Sequence, residues 1–63
     1  MTNIRLEMNY YTCAKEWAVI VLYNDAEGES ASLNWYFKSK SKASKQMTAL
    51  EGQYQVKGTV NEQ

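Results

Sequence analysis

Trp17-Ala-Val-Ile-Val-Leu-Tyr23, Asn24-Asp-Ala-Glu-Gly-Glu-Ser30 and Ala31-Ser-Leu-Asn-Trp-Tyr-Phe37 follow one another without a gap, and their reading decides the fold. The first run is β-branched and aromatic with both faces apolar, the pattern of a central strand. The second gathers Asn, Asp, Gly and Ser between two apolar runs, as a hairpin loop does, and Gly28 is the residue free to take positive φ there. The third alternates, with Ala31, Leu33, Trp35 and Phe37 on one face and Ser32, Asn34 and Tyr36 on the other.

Upstream, Ile4, Leu6, Met8 and Tyr10 alternate with Arg5, Glu7 and Asn9, which predicts a half-buried strand ending at a break over residues 12–16. Downstream, Ala43, Met47 and Leu50 recur at spacings of four and three and predict a helix with Ser41 as its N-cap and Gly52 as its C-terminal cap. The alternative for this Lys/Ser-rich stretch is a mobile loop. Tyr54, Val56 and Val60 alternate with Gln55, Lys57 and Thr59 in a short final strand, with Gly58 at a bulge or a close approach. The expected fold is α+β: a small antiparallel sheet of three to four strands with one helix packed on one face, in the order β-β-β-α-β, forming one domain over 1–63.

Sixty-three residues with seven basic and seven acidic side chains set up no overall field toward nucleic acid or an anionic membrane. The seven-residue run 17–23 is far short of the roughly 20 residues that span a bilayer. MTNIRLEMNYY lacks the basic flank and apolar stretch of a secretory signal, so the expected location is cytoplasmic with no membrane partner. One cysteine and no histidine leave neither an internal disulfide nor a Cys/His zinc site, and no cofactor is expected. Stability then rests on aromatic packing or on oligomerisation, which makes a homodimer one expectation.

Catalytic groups are sparse. No His is present to act as a base near neutral pH, and the carboxylates are scattered, so the chain is read as non-enzymatic. Asp25, Glu27 and Glu29 match part of a calcium loop but lack its twelve-residue run, and read as a solvated hairpin tip. Cys13 near Lys15 is either an activated thiol or a partly buried small residue beside a turn. Gly28, Gly52 and Gly58 are isolated and build no phosphate-cradling loop.

The binding features are more distinctive. Trp35-Tyr36-Phe37 runs into Lys38, Lys40, Lys42 and Lys45, and rings beside ammonium groups suit single-stranded nucleic acid, whose bases stack and whose phosphates need neutralising. The plainer reading is core aromatics followed by a solvated helix face, with Tyr36 the exposed ring. Residues 1–31 carry two basic and five acidic side chains, and residues 32–63 five and two, so an acidic end and a basic end are expected. Tyr11, Ala18, Ile20, Leu22 and Tyr36 fall opposite the inner stripe, an apolar surface that partner docking or self-association would cover unless the second strand is shifted by one residue.

The run W-x-V-x-V-x-Y-x-D-x-x-G from Trp17 to Gly28, an aromatic strand, and F-x-S-K-x-x-x-S-K from Phe37 to Lys45 are together similar in outline to small DNA-binding domains with a three-stranded sheet and a following helix, such as the arm-binding domains of phage integrases. The resemblance covers Trp17 to about Leu50 and implies DNA contact through basic residues on the sheet face. This chain departs from it by carrying Ser30, Ser32 and Asn34 there and by adding a strand after the helix. The leading expectation is a binding protein that docks on a partner protein and inhibits or modulates it, of the accessory kind found in phages and other mobile elements. The alternative is a small nucleic-acid-binding protein using Tyr36, Lys38, Lys40, Lys42 and Lys45.

Overall fold

The computed structural model describes residues 1–61. Strands β1 (Thr2–Tyr11), β2 (Glu16–Asn24) and β3 (Ser30–Phe37) are followed by helix α1 (Lys40–Tyr54) and strand β4 (Gly58–Asn61), the expected β-β-β-α-β order. They form one sheet in the order β3-β2-β1-β4 with the helix on one face. β2 pairs antiparallel with both β1 and β3, so the run 17–23 is indeed an inner strand. β4 lies parallel to β1, which makes the sheet mixed, though mostly antiparallel. Because β3 and β4 run the same way, the chain between them must return the length of the sheet, and fifteen helical residues cover about 22 Å of it.

The core lies between sheet and helix. Leu6 and Met8 of β1 and Val19 and Val21 of β2 meet Ala43, Met47 and Leu50 of α1, while Ile4, Trp17, Tyr23, Trp35, Phe37, Tyr54 and Val56 pack around them. Val19 and Val21 therefore face the helix and Ala18, Ile20 and Leu22 the other side, so the second strand carries no one-residue shift. One irregularity interrupts β1 between Thr2 and Arg5, where an extra residue is accommodated and Asn3 takes φ 53°.

The β2–β3 loop is built around Asp25. Its Oδ1 accepts the backbone N–H groups of Glu27 (3.0 Å) and Glu29 (2.9 Å), its carbonyl accepts from Gly28, and its own N–H donates to the carbonyl of Glu29. Gly28 has φ +80°, as the loop composition predicts.

The Lys/Ser-rich stretch that begins at Lys38 is a helix over Lys40–Tyr54, not a mobile loop, but the ends of that helix differ from expectation. Ser39, not Ser41, is the N-cap: it is extended (φ −111°, ψ 130°), and its Oγ accepts the N–H of Lys42 at 3.4 Å. The carbonyl of Ser39 takes the N–H of Ala43, starting the helical ladder two residues ahead of the expected cap. At the other end Gln55, not Gly52, turns left-handed (φ 57°, ψ 42°) and donates its N–H to the carbonyl of Glu51 at 2.8 Å. Ending at Gly52 would leave Tyr54 off the helix and its ring away from the core, so the extra turn is favoured even though an interior glycine costs about 1 kcal/mol. The last strand accordingly begins at Gly58 rather than Tyr54. Gly58 is a close approach: a Cβ there would run into the Met47 side chain, and its N–H donates to Glu51 Oε2 at 2.7 Å.

Candidate functional site

No other element among the described residues covers the sheet face away from α1. Alternation sends Arg5, Glu7, Asn9 and Tyr11 of β1 to it, with Ala18, Ile20 and Leu22 of β2 and Ser32, Asn34 and Tyr36 of β3. The register sets them in rows across the strands: Asn9, Ala18 and Tyr36; Glu7, Ile20 and Asn34; Arg5, Leu22 and Ser32. Thr59 joins the row of Glu7, and Asn61 joins that of Asn9 through a 2.7 Å bond from its Nδ2 to Asn9 Oδ1.

Tyr36 is 60% exposed and stands at the outer end of its row. Ala18 beside it is fully buried although no helix lies above it, because Asn9 and Tyr36 flank it on the neighbouring strands. Ile20 and Leu22 are half-buried by the same kind of flanking. The apolar surface here is therefore narrower than the residue types imply: a half-covered aliphatic strip along β2 with the Tyr36 ring, Ser32 and Asn34 on the β3 side and Arg5, Glu7 and Asn9 on the β1 side.

Lys38, one residue past β3, stays on this side of the sheet. Its Nζ lies 3.0 Å from Glu16 Oε1 and 3.4 Å from the carbonyl oxygen of Ala14. Lys40 opens α1 on the other side, with Nζ 5.4 Å from the centroid of Trp17, whose ring tilts 45° against Tyr10 at 4.9 Å. Lys42 and Lys45 are exposed on α1, which turns Ala43, Met47 and Leu50 to the sheet. The five residues singled out in sequence thus fall into two groups: Tyr36 with Lys38 on the open face, and Lys40, Lys42 and Lys45 on the helix layer, with the sheet between. No single groove joins the ring of Tyr36 to the ammonium groups of Lys42 and Lys45.

Charge is divided along the strands as well as along the chain. Asp25, Glu27 and Glu29 sit where β3 begins, Lys38 and Lys40 where it ends, and eight strand residues separate the two by about 26 Å. The first turn of α1 holds no acidic residue, so Lys40 and Lys42 add to the positive helix end instead of offsetting it.

The remaining groups offer little chemistry. Among the described residues no three Cys, Asp or Glu side chains gather as metal ligands. Cys13 is exposed, not partly buried, because residues 12–15 turn beyond the end of the sheet, where Lys15 takes φ 54°. A shallow cleft beside it is lined by Asn9, Tyr10, Tyr11, Thr12 and Asn61. No helix among the described residues is long and apolar enough to cross a membrane.

Sequence reasoning placed Ser32 and Asn34 on the face of Tyr36 but named neither as a site residue, and it did not connect Asn9 and Asn61 to that face. For Ser32 and Asn34 the signal was present, since strict alternation puts them on the face of Tyr36; Asn61 reaches Asn9 only through the pairing of β4 with β1, which no local pattern encodes. No protein-family model, no curated protein and no solved structure matches this chain.

Proposed function

We propose that the chain is a non-enzymatic binding protein that docks on a partner protein through the helix-free sheet face around Tyr36 and modulates that partner by occupying its surface. The observation that carries this reading is the composition of the face: a 60% exposed tyrosine beside a half-buried Ile20–Leu22 strip, edged by Asn9, Ser32 and Asn34. Tyrosine supplies a large contact area at low conformational cost, and serine and asparagine adapt their hydrogen bonds to a peptide surface. The strip is flanked along β1 by one acidic and one basic residue, Glu7 and Arg5, so the face offers no net positive charge, which suits a folded protein surface better than a phosphate chain. Small size and the lack of histidine favour binding over catalysis, and they motivate the accessory role expected of phage and mobile-element proteins.

The test is capture of partners by the tagged chain from a lysate of its source cells, with and without nuclease, alongside Tyr36→Ala and Lys42→Glu. A stoichiometric protein that survives nuclease, is held by Lys42→Glu and is lost with Tyr36→Ala is the expected result. Retention by a folded Tyr36→Ala protein would move docking off this face.

The lysines on the first turns of α1, reinforced by the positive helix end, favour a second reading in which this layer binds nucleic acid. It predicts log affinity for a single strand falling with log salt by about 0.7 per phosphate contacted, and weakening by Lys42→Glu but not by Tyr36→Ala.

A further inference from the structure

We propose that the protein forms a twofold symmetric dimer in which the outer edge of β3 pairs antiparallel with β3 of a second copy, joining two four-stranded sheets into one of eight strands. The proposal goes beyond partner docking, since it uses the edge of the sheet and not its face.

The edge itself is the first argument. β3 is an outermost strand of eight residues, Ser30 to Phe37, with no charge and no proline, and its register with β2 runs unbroken from Asn24–Ser30 to Trp17–Phe37. Sheet edges are ordinarily blunted by lysine, proline, a bulge or shortness, because an exposed row of N–H and C=O groups recruits another strand. The opposite edge, β4, is only four residues long, whereas β3 carries none of these devices.

The side chains supply the second argument. Leu6, Met8, Val19 and Val21 are at most 1% exposed, while on the same face of β3 Leu33 is 36% exposed and Ala31, Trp35 and Phe37 are only half-buried. The helix covers the middle of the sheet and leaves the apolar stripe of β3 open toward its edge. A dyad perpendicular to the sheet at Asn34 sets Leu33 opposite Trp35, Ala31 opposite Phe37 and Ser32 opposite Tyr36 of the second copy, so apolar meets apolar on the helix side, hydroxyl meets hydroxyl on the other, and small residues face large ones.

Charge fixes the direction. An antiparallel pair brings the start of one β3 to the end of the other, so Glu27 and Glu29 of each loop approach Lys40 of the second copy and its Lys38, which is shared with Glu16, twice over. Parallel pairing would set like charges together at both ends.

Cross-linking and sedimentation test the proposal. In a Cys13→Ser background, Asn34→Cys places one thiol on the dyad, where the facing Cα atoms lie within disulfide range; Leu33→Cys, which faces Trp35 of the second copy and not its own equivalent, and Thr59→Cys on β4 are the controls. The expected result is sedimentation of the unaltered chain at twice 7.3 kDa and covalent dimer forming at least about tenfold faster at 34 than at 33 or 59. Asn34→Lys, at an exposed site, should raise the dimer dissociation constant at least about tenfold by opposing like charges across the dyad, and Glu27→Lys with Glu29→Lys should weaken the dimer most at low salt. A monomer up to about 1 mM would overturn the proposal. So would a dimer that cross-links equally at 34, 33 and 59, or one indifferent to Asn34→Lys. Ile20→Ser, on the inner strand β2 and away from the β3 edge, reports separately: loss of partner capture from an intact dimer concerns docking alone.

Discussion

The Glu51 carboxylate accepts the backbone N–H of Gly58 at 2.7 Å, tying the last turn of α1 to the first residue of β4. The bond is partly buried and charge-assisted, and it closes the link 55–57 from the side. Glu51→Ala leaves that N–H without its acceptor and should cost about 1–2 kcal/mol. Glu51→Gln keeps a carbonyl in place and should cost less; urea unfolding of the two variants checks the order.

At Gly58 the backbone lies close to the helix, and a methyl there meets Met47. Gly58→Ala should destabilise by about 1–3 kcal/mol, the range for overpacking. Shortening the obstructing side chain with Met47→Leu should relieve part of that loss, so the double variant is expected to be more stable than the sum of the single effects allows. Additive losses would place the strain elsewhere.

The two faces of β2 should respond differently to truncation. Val19 is wholly buried against the helix, and Val19→Ala should cost about 1–3 kcal/mol in transfer and cavity terms. Leu6→Ala, at about 2–5 kcal/mol, is expected to leave little of the folded state in a domain this small. Ile20→Ser, on the half-covered open face, should cost clearly less than either, as denaturant midpoints would record.

Ser39 caps α1 and Ser41 does not. At 3.4 Å its bond to the Lys42 N–H is long, so Ser39→Ala should cost about 0.5–1 kcal/mol. Ser41→Ala, at an exposed position in the first turn, should be neutral or slightly stabilising because alanine is the better helix former. Equal effects on thermal midpoint would show that the two hydroxyls share the capping.

Which parts of this structure were legible in the sequence follows from the range of the forces involved. The hairpin from Trp17 to Phe37 was readable because alternation, loop composition and the conformational freedom of Gly28 are all local. The exposure of Tyr36 came from the same alternation. The helix boundaries were not readable: Ser39 and Ser41 are chemically equal caps, and the choice depends on where the chain leaves Phe37. Tyr54 and Val56 alternate like a strand, yet both pack on the core after the helix has taken one more turn. The parallel pairing of β4 and the separation of Tyr36 from Lys42 and Lys45 arise from contacts between distant segments. A cluster in sequence was therefore divided between two layers in space.

The bond between Asn9 and Asn61 spans 52 positions of the chain. It marks a pairing, β1 with β4, that cannot nucleate from a turn as the two hairpins can, because a long stretch of chain must first be brought round. Loop-closure entropy therefore favours an order in which the three antiparallel strands and the helix collect before the parallel strand pairs, as φ-values on β4 would test. The amides of β4 are accordingly expected to exchange before those of β1 and β2.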